Sequence, residues 1–205
     1  MILAGGHGSR LGGINKAMLV VGTASIVERT LAAVQPIVGE VTLVVNDHSL
    51  ASLGLPLYLD PEPHAGVLPA LLTGLEASSA ELCLLTACDM PFIQPRLVEH
   101  LFEACAEHDV CLPYIERRPE PMLAVYRRER CIGAIREALS QGYMRMIAFL
   151  DRLNVAALDE SDLRYSDPEL RSFFNVNEPA DLEQARQMAL EFDHGHAHEA
   201  LRDEH

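Results

Sequence analysis

Basic residues are scarce in this sequence. Lys and Arg total 16 against 30 Asp and Glu, a formal net charge of −14. A surface that acidic repels polyanions, which argues against general nucleic-acid binding. A small phosphorylated ligand would have to be met by few, local cations. No apolar stretch approaches the ~20 residues of a membrane span, and no basic, then apolar, then small-residue leader opens the chain. Cysteine pairing is missing too. Cys83, Cys88, Cys105, Cys111 and Cys131 are odd in number and form no CxxC, so neither a disulfide framework nor a zinc site is indicated. They read as small core residues in a reducing compartment. The expectation is a cytoplasmic protein without nucleic-acid or membrane partners. No internal repeat and no long linker divide the chain.

What is present is a globular composition, 49% apolar and 22% charged over 205 residues, enough for one well-buried domain. Continuous apolar runs alternate with helical patterns. Strands are expected at Met1–Ala4, Val41–Asn46, Leu57–Leu59, Leu82–Ala87, Val110–Tyr114, Met122–Tyr126, Asn154–Leu158 and Phe173–Val176. Helices are expected at Ser25–Val34, Val67–Glu76, Gln94–Glu107, Glu129–Leu139, Arg145–Leu150 and Pro179–Phe192. Ser25 with Glu28 three residues on has the form of a capping box, and Pro95 suits a first helical turn. The segment Asp159–Arg171 is polar and poorly periodic and reads as an excursion over the surface. Runs that are apolar throughout, each followed by a helix, imply a mostly parallel sheet covered on both faces.

Residues 193–205 hold four of the nine histidines and are otherwise largely charged. They read as a disordered, His-rich acidic tail on a single domain spanning 1–192. A metal hook through His194, His196 and His198 is the competing reading, but nothing in the sequence fixes the imidazoles in a shared geometry.

The densest chemistry lies at the opening, Leu3-Ala4-Gly5-Gly6-His7-Gly8-Ser9-Arg10-Leu11-Gly12-Gly13-Ile14-Asn15-Lys16. Five glycines in nine positions follow a strand directly. Such a loop turns tightly and can aim successive N–H groups at phosphate oxygens, while Arg10 and Lys16 supply local cations. A Walker A loop is excluded, because Ile14 stands where lysine must follow Gly8 and Gly13. A dinucleotide fingerprint is excluded as well: Leu11 occupies its third glycine position. The second signal is Thr86-Ala87-Cys88-Asp89-Met90-Pro91. Asp89 closes an apolar strand, where open α/β sheets bind ligands, and one carboxylate there can hold Mg²⁺ against a triphosphate. Alone, it reads equally well as a turn aspartate before proline.

The order LAGG-x-x-x-R-x-G-G-x-x-K, a strand ending in Asn, CDMPF, then NVN-x-P-x-D-L closely resembles the molybdenum cofactor guanylyltransferases, the MobA family. The resemblance runs from Ile2 to about Ala189. It implies a three-layer α/β/α sandwich with a mostly parallel, Rossmann-like sheet of the nucleotide-diphospho-sugar transferase type. It implies transfer of GMP from GTP to the terminal phosphate of molybdopterin or Mo-molybdopterin, with Mg²⁺ as cofactor and molybdoenzyme-maturation proteins as partners. By position, Leu3, Ala4, Gly5 and Gly6 match the backbone that cradles the nucleotide, and Lys16 the lysine on the phosphates. Asn46 matches an asparagine near the guanine, Asp60 an aspartate near the nucleotide and Asp89 the Mg²⁺ ligand. Asn175 and Asn177 match the pair on the acceptor side. Lys16, Arg10 and Asp89 are then the catalytic candidates. Arg127 and Arg145 are weaker acceptor candidates, since arginines on helix surfaces are mostly solvated.

Four features depart from the family pattern. Asn15 stands where Asp is common, and Leu11 where Met is usual. The family carries a few residues before its first strand that this sequence lacks, which implies a shortened strand or a misplaced start. Glu62–Pro69 resembles the family's Pro/Gly-rich loop only loosely. Two other functions fit the same residues: a cytidylyltransferase acting on molybdopterin or a sugar or polyol phosphate, and a non-catalytic nucleotide-binding protein that delivers cofactor.

Overall fold

The computed structural model describes residues 1–5, 10–11, 14–61 and 66–200. Its strands are β1 (Ile2–Ala4), β2 (Arg10–Leu11), β3 (Ile14–Asn15), β4 (Val20–Val21), β5 (Ala24–Ser25), β6 (Leu43–Val45), β7 (Leu57–Leu59), β8 (Leu82–Ala87), β9 (Val110–Ile115), β10 (Arg118–Pro119), β11 (Leu123–Arg127) and β12 (Val155–Leu158). Its α-helices are α1 (Ile26–Val34), α2 (Val67–Ala77), α3 (Pro95–Ala104), α4 (Arg128–Ser140), α5 (Glu160–Leu163) and α6 (Pro179–Ala200).

Eight strands form one sheet in the order β10-β9-β11-β8-β1-β6-β7, with β12 beside β9. β1, β6, β7, β8, β9 and β12 run in one direction, and β10 and β11 run against them. The period of two sends alternate residues to opposite faces. Ile2, Ala4, Leu43 and Val45 join Val27, Leu31, Leu97 and Leu101 from α1 and α3 in one core. Leu3 and Val44 join Leu71 and Leu75 of α2 and Ile132 and Ile135 of α4 in the other. Both faces of the central strands are therefore apolar, which is why their sequences are unbroken apolar runs. The result is the expected three-layer α/β/α sandwich. Where only one face is needed, in β12, the strand is half-exposed.

The capping box at Ser25 is present. The Ser25 amide donates to Glu28 Oε2 at 2.7 Å, and the Glu28 amide donates back to Ser25 Oγ at 3.4 Å; such a cap contributes about 1 kcal/mol. α1 is thereby started beside the loop that carries Lys16. A third, smaller core holds α6 against that region: Leu182, Ala185 and Ala189 pack with Leu19, Val21, Ile26, Phe92 and Val176.

Three sequence expectations are corrected. Residues 145–150 are not an α-helix. Gly142, at φ 79°, ends α4, and the bonds that follow are three-residue turns, Ala148 N–H to Arg145 O and Leu150 N–H to Ile147 O. Phe149 is buried and Met146 and Leu150 pack partly buried against the same core, while Tyr143, Met144 and Ile147 are exposed; such a run offers no single apolar stripe for a helix to bury. Phe173–Val176 is not a strand. A 3₁₀ turn over Arg171–Phe173 leads into an extended segment that donates one bond to the neighbourhood of β8, Val176 N–H to Asp89 O at 2.9 Å. Asp159–Arg171 is not wholly a surface excursion. Asp159 caps the short α5, and buried Asp167 accepts from the Arg171 and Ser172 amides at 3.1 and 2.8 Å. The last helix runs on past Phe192 to Ala200, so its backbone includes His194, His196 and His198. All five cysteines are buried and free, and burial pushes the thiols of Cys88 and Cys111 up to about 12, which keeps them inert. Among the described residues no helix is long and apolar enough to cross a membrane.

Candidate active site

The site forms where the strand order reverses. β6 flanks β1 on one side and β8 flanks it on the other, both parallel to it. Their carboxyl ends open a crevice at the switch point, the position where α/β sheets take ligands. Ala4 lies opposite Val45 and Leu3 opposite Ala87, and the Cys88 amide donates to Leu3 O at 3.0 Å. The next residues out, Gly5, Asn46 and Asp89, therefore share one edge. Gly5 is required there by contact: a β-carbon would fall 2.4 Å from Asn46 Oδ1 and 2.8 Å from its Cγ. Asp60 follows β7 on the same edge. It is buried, and its amide donates to Val45 O at 2.8 Å.

Asp89 sits in the turn that closes β8, and the turn is clamped onto α1. Thr30 Oγ1 donates to Met90 O at 3.2 Å, and Arg29 Nε donates to Pro91 O at 3.1 Å. The Arg29 guanidinium lies 5.4 Å from the centre of the Phe92 ring, and Met90 and Phe92 are fully buried. The residues of CDMPF other than Asp89 thus serve to fix Asp89. Its Oδ1 is buried with no hydrogen-bond partner, the one side-chain nitrogen or oxygen in that state among the described residues. Burial pushes the carboxyl above its ordinary range, and the Lys16 ammonium pulls it back. A buried carboxylate oxygen without a donor suits a hard cation. Among the described residues no three His, Cys, Asp or Glu side chains cluster to enclose a metal. A cation held by a single carboxylate completes its shell with substrate phosphate and water, as Mg²⁺ does.

Lys16 enters from the loop after β3. Asn15 starts a 3₁₀ turn over Lys16–Met18: its Oδ1 accepts from the Ala17 amide at 3.0 Å, while its Nδ2 donates to Ser49 Oγ at 2.9 Å. Asparagine stands here where the family commonly has aspartate, and its amide makes one contact as acceptor and the other as donor. Lys16 itself is 5% exposed, and its Nζ donates to Asn177 Oδ1 at 3.0 Å. Asn177 is held in turn by Asp181, whose Oδ2 accepts from the Asn177 and Glu178 amides at 2.9 and 2.8 Å. Those two bonds draw the Asp181 carboxyl below its ordinary range. Asp181 was missed as a site residue; its signal was its place in the first turn of α6, two residues after Pro179.

The remaining candidates separate clearly. Arg10 pairs with Asn15 through the backbone of the β2–β3 hairpin. Gly6, and residues 62–65 of the Pro/Gly-rich loop, lie outside the described residues. Asn175 is half-buried, its Nδ2 donating to Phe173 O at 3.0 Å, and does not join the Lys16–Asn177 contact. Arg127 is removed from the acceptor candidates. It lies opposite Leu82, at the far end of β8, and its guanidinium donates to Glu81 and to the carbonyls of Ala106, Cys105 and His108.

Gly5 packed against Asn46, a buried lysine and a partnerless carboxylate meet at the switch point of a three-layer α/β sheet, an arrangement that suits a nucleotidyltransferase, and comparison with known proteins shows that class. The MobA-like NTP transferase domain matches residues 1–155, and a probable molybdenum cofactor guanylyltransferase from Methanosarcina mazei is 36% identical over 197 residues, covering 89% of this chain and 87% of that protein. The chain belongs to the molybdenum cofactor guanylyltransferase (MobA) family. The molybdenum cofactor guanylyltransferase of Desulfosudis oleivorans is 34% identical, with 90% and 92% of the two chains covered. Among solved structures, molybdopterin-guanine dinucleotide biosynthesis protein A from Archaeoglobus fulgidus superposes with a TM-score of 0.78 at 28% identity, covering 93% of this chain and 97% of that one. The 2-C-methyl-D-erythritol 4-phosphate cytidylyltransferase of Thermus thermophilus, at 20% identity and a TM-score of 0.69, covers 92% and 96% and shares the fold.

Proposed function

We propose that this nucleotidyltransferase moves GMP from GTP to the terminal phosphate of molybdopterin or its molybdenum form, with Mg²⁺ at Asp89. A phosphate oxygen of the acceptor attacks the α-phosphorus, the bond to the β-phosphate oxygen breaks, and pyrophosphate leaves with that electron pair. The observation that carries this reading is the buried, partnerless Asp89 Oδ1 under the influence of Lys16. The acceptor phosphate is ionised near neutral pH, so no general base is needed, and no histidine is given that role. What the chain must do is offset repulsion between two anions and hold them in line. When bound, Mg²⁺ supplies positive charge to the phosphates. Lys16 adds a fixed charge from a buried position, and the backbone after Ala4 offers amides. Asn46, beside Gly5 at the crevice edge, is the residue proposed to pair with the base, and Asn177 orients the Lys16 ammonium from the side of α6.

The test is transfer to molybdopterin with GTP or CTP, with and without Mg²⁺. GTP with magnesium is expected to give the dinucleotide product and pyrophosphate. Product from CTP alone would assign the cytidylyl reaction to this scaffold instead. A companion variant probes the base contact. Gly5→Ala is expected to displace the Asn46 side chain, because the new methyl would lie 2.4 Å from its Oδ1. Nucleotide affinity should fall by about 10–100-fold with little change in melting temperature, read by calorimetry and thermal melts. Unchanged affinity would remove Asn46 from the site.

A further inference from the structure

β11 enters the sheet through a bulge at the edge that carries the site. The chain runs out along β9 and returns as β10 and then β11, both antiparallel to β9. Between the Pro119–Tyr114 pair and the Val125–Cys111 pair, the five residues 120–124 stand against the two residues 112–113. The returning chain therefore leaves the ladder at residues 120–122, just before β11 begins. β11 also pairs with β8, with Leu123 opposite Thr86. Asp89 lies three residues beyond Thr86, and Glu120 three residues before Leu123. Two antiparallel strands thus carry both carboxylates out of the same edge. A bulge in such a place re-aims a side chain.

The bulge is held at three points. Glu120 N–H donates to Pro113 O at 2.9 Å, and Leu123 N–H donates to Glu120 O at 3.3 Å. The hydroxyl of fully buried Tyr126 donates to Pro121 O at 2.7 Å. The backbone is therefore fixed, while the Glu120 side chain is half-buried and meets no donor or cation among the described residues. Burial alone acts on its carboxyl and pushes it above the ordinary range. Other sheltered carboxylates of this chain are met from within. Asp109 accepts from Arg130 and the Asn154 amide, and Asp167 from the Arg171 and Ser172 amides. A sheltered carboxylate left without such partners carries an uncompensated cost.

Strand order says which ligand reaches it. β1 and β8 lie between β6 and β11, so Asn46 and Glu120 are three strand spacings apart, about 14 Å. With the base at Asn46 and the reacting phosphate at Asp89, Glu120 stands on the acceptor's side. An ionised carboxylate only accepts, through two oxygens. The ligand that suits it offers two parallel N–H groups, as a 2-amino-4-oxo pyrimidine ring does through its amino group and the adjacent ring N–H. Guanine and pterin share that edge. We propose that Glu120 reads this edge on the pterin of the acceptor, an inference that rests on the transfer to molybdopterin argued above. The carboxylate accepts from the 2-amino group and from N3–H. It rejects a ring with oxygen in place of the amino group, whose lone pairs would face its own.

The test compares the parent with Glu120→Gln, which keeps the shape but puts a donor where one acceptor stood. Fluorescence titration with 6-hydroxymethylpterin, and with the corresponding lumazine that carries oxygen for the 2-amino group, reads the contact without turnover. The parent is expected to bind the pterin about tenfold or more tightly than the lumazine, the size of step that hydrogen bonds to a charged group supply. The variant should bind both alike. In transfer assays the variant should raise KM for molybdopterin by about tenfold or more, while calorimetry finds GTP affinity unchanged. Its melting temperature should not fall, because burial already opposes the charge that is lost. No preference for the pterin in the parent, or a preference that the variant keeps, would overturn the proposal even where GTP and molybdopterin react. A fall in GTP affinity with the pterin preference intact would overturn it too, by placing the carboxylate on guanine. A parent that does not join GTP to molybdopterin, yet shows a Glu120-dependent preference for the pterin, would overturn the reaction and leave the contact standing.

Discussion

Asp89→Asn is expected to lower guanylyl transfer by about 10³-fold or more, the loss seen when a central electrostatic contact to the reacting charge is removed. The substitution keeps shape and volume, so the clamp made by Thr30, Arg29, Met90 and Phe92 is undisturbed. What it removes is the anionic oxygen that a hard cation needs. Stability should move the other way. The folded Asp89 carboxyl lies above its ordinary value because burial opposes its charge. For a carboxyl shifted in that direction, the stabilising contribution is present below the unfolded value and is lost as pH rises through the folded one. At neutral pH the ionised group therefore weakens the ligand-free fold. Asp89→Asn should melt at the same temperature or a few degrees higher without metal, and should lose the added stabilisation that GTP with Mg²⁺ gives the parent. A variant retaining most of its rate, or the same magnesium-dependent rise in melting temperature, would remove Asp89 as the metal ligand.

That combination, an essential group held at a cost to the fold, marks what local patterns reveal and what they do not. The central strands were readable because each is buried on two faces, so Ile2–Ala4 and Leu82–Ala87 appear as unbroken apolar runs. α1 was readable because its start is a local reciprocal hydrogen bond between Ser25 and Glu28. Asp89 was readable as a carboxylate at the end of such a strand. The failures share a cause. Residues 145–150 and Phe173–Val176 take their form from what they cross and not from their own period. Phe149 alone is buried in the first, and the second is placed by one bond to Asp89 and by the packing of Val176 beneath α6. Asp167 looked like a surface charge until the turn it caps folded over it. Arg127, at a strand end, carries no local sign that it faces away from the crevice; sheet register alone decides that.

The largest gap is the contact between Lys16 and Asn177, 161 positions apart, which no window of sequence can display. Its consequence is the second large effect. Lys16→Met is expected to reduce kcat/KM by about 10³-fold, or about 4 kcal/mol of transition-state stabilisation. The methionine fills similar apolar space around the stem, so the fold should persist. Two losses combine. The phosphates lose a buried positive charge, and Asp89 loses the cation that offsets its burial, so its carboxyl rises further and magnesium binding shifts toward higher pH. Asn177→Ala should cost only about tenfold, because it frees the ammonium without removing it. If Asn177 acts by aiming Lys16, its deletion adds nothing once Lys16 is gone, and the double variant should match Lys16→Met alone. Additive losses would instead give Asn177 its own contact with substrate, independent of the lysine. A third variant, Asp181→Asn, keeps an oxygen able to accept from the Asn177 amide but removes its charge. It should fall between the parent and Asn177→Ala, because the helix start that carries Asn177 loosens while its side chain remains.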